Sequence, residues 1–232
     1  MRISTIPLSL LLSSVLSIST GASAEGNPSG TGFAAPEAGG PRRLEVTAEG
    51  AQLHRAPAKD SEERAALPGG RLLSNRGCEA AQGGVVWCEV APLDMGKPGF
   101  ARAAQLAPAR GPDGVIPTGR DDSKKRARAK DYDDLTEIAC AQEQGQALGT
   151  CAAAIARSGG GDATVVATFP NGFARQLYFT HGAFMRGSST MSGVGTDMEW
   201  DRADGMYVIR VDDQRFVIPQ GFLLGEEVGV LE

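Results

Sequence analysis

The sequence predicts a mostly β chain, a small barrel followed by a small antiparallel β domain. Three observations predict it. The apolar and β-branched runs are short, about four to eight residues, and they end at clusters of Gly, Pro, Asn and Asp. One long break rich in Gly, Pro and like charges interrupts them between residues 108 and 133, where no core can form. The four cysteines fall as two local pairs, one on each side of that break.

The chain opens with Arg2, an apolar run from Ile6 to Ile18, and Ala22-Ser23-Ala24. A short basic start, a short apolar core and an A-x-A ending are the parts of a secretory signal peptide, here residues 1–24. The apolar run is far shorter than the roughly 20 residues a bilayer span needs. The expectation is a periplasmic or secreted protein with no membrane span. Residues 25–42 are mostly Gly, Ala, Pro and Ser and read as a disordered linker.

Residues 43–107 read as the barrel. Leu44-Glu45-Val46 alternates, Gln52-Leu53-His54 is followed by a Pro57 turn, and Ala66-Leu67 stops at Pro68-Gly69-Gly70. Arg71 to Arg76, Val85 to Val90 and Gly99 to Arg102 supply the remaining strands. Closing so small a sheet removes exposed strand edges. Residues 108–133 read as a charged linker. Its run Lys124-Lys125-Arg126-Ala127-Arg128-Ala129-Lys130 is read as a solvated tether.

Residues 134–232 read as the second β domain. Ala163–Phe169 and Phe173–Thr180 flank Asn171-Gly172, a strong hairpin signal. Met206–Val211 and Gln214–Ile218 flank Asp212-Asp213, and Met198–Trp200 begins a further short strand. Gly187–Gly195 reads as a loop. The run Ala152–Ala156 fits a short strand or a helical turn, because periodicity cannot settle so short a segment. Two hairpins and one extra strand predict a small sheet or sandwich.

A formal net charge of -5 argues against nucleic acid as the main partner, which requires a basic surface. Four cysteines in an exported chain read as two disulfides with three possible connectivities. The economical choice is local pairing, Cys78 with Cys88 and Cys140 with Cys151. A hairpin can place Cys78 and Cys88 opposite each other, at the separation a disulfide requires. The C-x2-4-C spacing of a zinc site is absent, and no metal or cofactor is expected. Gly159-Gly160-Gly161 fails as a phosphate loop, because Asp162 and a strand follow it. Ser188, His181 and Asp197 have no triad spacing, and no catalytic residue is expected.

The ordered set Leu53-His54-Arg55-Ala56-Pro57, Leu67-Pro68-Gly69, Arg76-Gly77-Cys78, Trp87-Cys88-Glu89-Val90, Gly99-Phe100-Ala101 and Gln105-Leu106 resembles the bacterial SH3 domain. The chain departs from that family at His54, where Arg is usual, at Ala56, where Gly is usual, and at Phe100, where Trp is usual. The resemblance implies a binding groove flanked by His54, Arg55, Trp87 and Phe100. From the residues alone, Trp87 also reads as a core side chain. The second half, through Ile138-Ala139-Cys140, Cys151, Arg157-Ser158-Gly159-Gly160-Gly161, Ala163–Val166, Val208–Val211 and Ile218-Pro219, resembles an uncharacterised domain of exported alphaproteobacterial proteins. Together these imply a non-catalytic envelope protein that recognises a cell-wall peptide or an envelope protein. The alternative is an envelope hydrolase or inhibitor acting through the C-terminal domain.

Overall fold

The computed structural model describes residues 31–94, 96–189 and 197–226. The expected signal segment 1–24, residues 25–30, and most of the 187–195 loop lie outside them.

The first part is a seven-stranded antiparallel sheet in the order β3-β2-β6-β5-β4-β1-β7. Its strands are β1 (Arg43–Val46), β2 (Ala51–His54), β3 (Glu63–Leu67), β4 (Leu72–Ala80), β5 (Val86–Pro92), β6 (Gly99–Arg102) and β7 (Leu106–Pro108). Each strand sends apolar side chains into one cluster, among them Leu44, Leu53, Leu67, Leu73, Cys88, Ala101 and Leu106. A sheet that feeds one core from all its strands curls around it and presents its other face outward. Cys78 and Cys88 are register partners on β4 and β5 and form a disulfide.

The second part is an eight-stranded, nearly closed, barrel-like antiparallel sheet in the order β12-β11-β10-β9-β8-β15-β14-β13. Its strands are β8 (Asp134–Ala141), β9 (Gly149–Gly159), β10 (Asp162–Thr168), β11 (Ala174–Thr180), β12 (Ala183–Gly187), β13 (Met198–Ala203), β14 (Met206–Val211) and β15 (Gln214–Pro219). Phe169, Phe179, Phe184, Tyr207 and Phe216 fill it, and Phe222 and Leu223 of the short helix α2 (Gln220–Leu224) join the same core. Cys140 and Cys151 link β8 to β9. The ambiguous run Ala152–Ala156 is strand, because β9 pairs along it with both β8 and β10. That two-sided pairing, with β15 on β8, turns the expected small sheet or sandwich into a nearly closed one.

The segment 108–133 is not a solvated tether. Helix α1 (Ser123–Arg128) lies on β9 and β10. Ala127 is buried, and the Ser123 and Thr164 hydroxyls share a hydrogen bond of 3.0 Å. Arg126 pairs with Asp131 and Asp133 and donates to the Arg157 carbonyl. Only Ser123 and Ala127, one turn apart, are buried on this helix, so the basic block hides its inward stripe from a charge count. Residues 31–42, expected within a disordered segment, are held against β4. The Asn75 amide donates to the carbonyls of Ala34 and Pro41, both at 2.7 Å, and the Cys78 N–H donates to Phe33 at 3.0 Å.

A buried ionic cluster joins the two sheets. Arg42 and Arg43 both pair with Asp162 at the start of β10, and all three side chains are at least nine-tenths buried. Arg42 also donates to the Ser158 carbonyl at 2.6 Å and the Ser158 hydroxyl at 2.8 Å. Asp162 further accepts the His181 backbone N–H at 2.9 Å. Beside this cluster the turn from β9 to β10 needs glycine. Gly160 has φ 67°, and a Cβ there would strike the Pro117 ring.

Candidate binding cleft on the N-terminal sheet

Strand parity decides where the aromatic residues of the first sheet stand. Cys88 and Val90 point into the core, so Trp87 and Glu89 on the same strand point outward. The register aligns Glu79, Trp87 and Arg102 in one cross-strand row, and Glu89, Phe100 and His54 in the next. This outward face is not simply wet. Trp87 is 3% exposed although it stands outside the core cluster. The His54 ring meets it edge-on at 5.1 Å between centroids, and the Arg102 guanidinium lies 5.5 Å from its ring centre. A T-shaped ring pair and a cation over a π face both favour this arrangement.

Trp87 forms part of the lining of a cleft of about 460 Å³, together with Ala35, Pro57, Arg76, Glu79, Glu89 and Phe100. That size lies within the range of ligand pockets, roughly 300–1,000 Å³. Its charges are unevenly matched. Arg76 and Glu89 form an ion pair at 3.1 Å, whereas Glu79 has no cationic partner among the described residues. The Trp87 indole N–H has no protein acceptor among the described residues and is not one of their fully buried unpaired polar atoms, so it keeps contact with solvent.

The structure therefore brings together three of the four residues expected at the groove. Trp87 and Phe100 line the cleft, and His54 supports Trp87 from behind, its Nδ1–H donating to the Ser61 carbonyl at 3.2 Å. His54 is buried rather than available to a ligand. Arg55 stands apart, exposed and paired with Glu62 at 3.1 Å, on a different depression bounded by β3 and Lys97. Glu79, Glu89 and Pro57 were not singled out in the sequence. For the two carboxylates the available signal was parity next to the paired cysteines: with Cys78 and Cys88 turned to the core, the neighbouring Glu79 and Glu89 must face out.

The chemistry of the second sheet is dispersed. The His181 Nδ1 is buried without a partner. Burial, then the nearby Arg43 charge, lowers its pKa from the ordinary 6.5, against the opposing pull of Asp162 and Asp113. The Ser188 hydroxyl accepts from the Gln176 N–H at 3.2 Å. Asp197 pairs with Arg210 at 2.8 Å, and that guanidinium holds its carboxyl below the usual carboxylate range. Ser188, His181 and Asp197 thus belong to three separate networks. The apolar side chains Met198, Trp200, Met206 and Val208 are exposed along β13 and β14. Among the described residues no group of three or more His, Cys, Asp or Glu is placed to hold a metal ion, and no helix is long and apolar enough to cross a membrane.

No family model, no curated protein and no solved structure matches this chain.

Proposed function

We propose that this is a non-catalytic binding protein of the cell envelope. A signal peptide over residues 1–24 exports it to the periplasm or beyond, and the SH3-like N-terminal sheet recognises a peptide or a wall component through its outward cleft. The carrying observation is Trp87. Its ring is buried on the outer face of the sheet, in the lining of a cleft, with an N–H that no protein group accepts, whereas a Trp kept only for stability belongs with Leu53 and Leu73 in the core. Two disulfides support an oxidising compartment.

The second reading, an inhibitor or hydrolase acting through the C-terminal barrel, draws on the exposed Trp200 and its apolar neighbours on β13 and β14. Co-sedimentation of the mature chain with purified peptidoglycan tests the first reading. Retention lost in Trp87→Ala supports it, and retention no greater than that of denatured protein contradicts it. A clearing band in zymography on wall material would install the hydrolase instead.

A further inference from the structure

We infer that the Trp87 cleft takes a short extended peptide carrying an ammonium group, with the ammonium at Glu79 and a peptide carbonyl on the Trp87 indole N–H. This rests on the binding reading above and names the ligand class of the same site.

Three features of the cleft converge on this chemistry. The first is charge. Arg76 and Glu89 neutralise each other at 3.1 Å, so the unpaired charge in the lining is the Glu79 carboxylate. An unpaired carboxylate attracts cations and repels phosphate or carboxylate polymers. The Arg102 guanidinium lies over the Trp87 ring and is not part of the lining. The second is the indole. Trp87 is more than nine-tenths buried, and its N–H has no protein acceptor among the described residues, so it is free to donate to an added one. A peptide carbonyl supplies one without bringing charge. The third is placement. Glu79 and Trp87 are direct cross-strand partners on β4 and β5. Their Cβ atoms therefore stand about 5 Å apart. One residue of an extended ligand advances about 3.3 Å, so a carbonyl and a nearby lysine-type ammonium reach both groups together. Pro57 and Phe100 provide apolar walls for the stem between them.

The probe is a short blocked alanine peptide with one central lysine, titrated calorimetrically into the oxidised full-length mature chain. Its acetyl-lysine and glutamate counterparts are run beside it. The lysine peptide should bind at least about tenfold more tightly than either counterpart, as a hydrogen bond to a charged group implies. Glu79→Gln should remove that preference and leave acetyl-lysine binding unchanged. Trp87→Phe should weaken the lysine and acetyl-lysine peptides alike, by roughly fivefold. Glu79 is exposed, so its variant keeps the fold, and unchanged thermal melting confirms this. Equal binding of lysine and acetyl-lysine peptides, or no effect of Glu79→Gln, overturns the inference. If peptidoglycan retention through Trp87 persists in that case, the binding reading stands and only the ligand class falls. If retention fails as well, both fall. Preference for a glycan fragment without amines also overturns it.

Discussion

The two sheets differ in where their buried aromatic residues stand. The C-terminal barrel keeps Phe169, Phe179, Phe184, Tyr207 and Phe216 inside. The fully buried core of the N-terminal sheet contains no aromatic residue, only Leu, Val, Ala and Cys, and its strands carry Trp87 and Phe100 on the outer face. An aromatic ring in a core is explained by burial alone. A large ring buried outside the core is held there by other groups, here His54 and Arg102. The difference fits the proposed reading, in which the barrel is a packed scaffold and the N-terminal sheet recognises the ligand.

The largest effect is expected where the two sheets meet. Asp162→Ala leaves Arg42 and Arg43 buried and unpaired, and should cost about 3–5 kcal/mol in urea unfolding. Loss confined to one of two separate transitions would show that the sheets unfold independently. Phe179→Ala, which empties a fully buried site in contact with Phe184 and Tyr207, should cost about 3–5 kcal/mol. Replacing both members of either Cys pair by Ala should cost about 3 kcal/mol, since each bridge closes a short loop. Trp87→Phe should cost less than about 1.5 kcal/mol, because the apolar packing is largely kept, while ligand retention falls. A Trp87→Phe cost equal to that of the core phenylalanine would make Trp87 structural and erase the contrast.

The smallest effect is a pH dependence. The folded His181 pKa lies below the unfolded 6.5, so the neutral ring is favoured in the fold. Its contribution is present above pH 6.5 and is lost as the pH falls through the lower folded value. The positive φ of 51° at His181 suits Asn. His181→Asn should flatten thermal stability between pH 6.5 and the acid limb, and an unchanged slope would assign that slope to other groups.

Much of the β architecture was legible because turn residues punctuate it. Asn171-Gly172 and Asp212-Asp213 mark their hairpins, and the local cysteine pairs formed as spacing suggested. Less legible were elements whose cause is tertiary. β12 sets exposed Met185 and Arg186 between two buried residues, so no apolar run announces it. Helix α1 shows only two buried residues in a basic stretch. The Arg42, Arg43 and Asp162 cluster joins residues more than a hundred positions apart, which no local pattern can report. The site was half legible. Trp87 and Phe100 line one cleft, Arg55 belongs to another surface, and Glu79 follows only from strand parity.

The central claim is that recognition belongs to the outward face of the N-terminal sheet. Its most direct test is a two-dimensional amide and indole NMR titration of the oxidised mature chain with soluble wall-derived peptides. The Trp87 indole N–H should move most, with Glu79, Glu89 and Phe100, while the Trp200 indole stays fixed. Shifts at Trp200 and along β13 and β14, with Trp87 unmoved, would contradict it and transfer the binding role to the barrel.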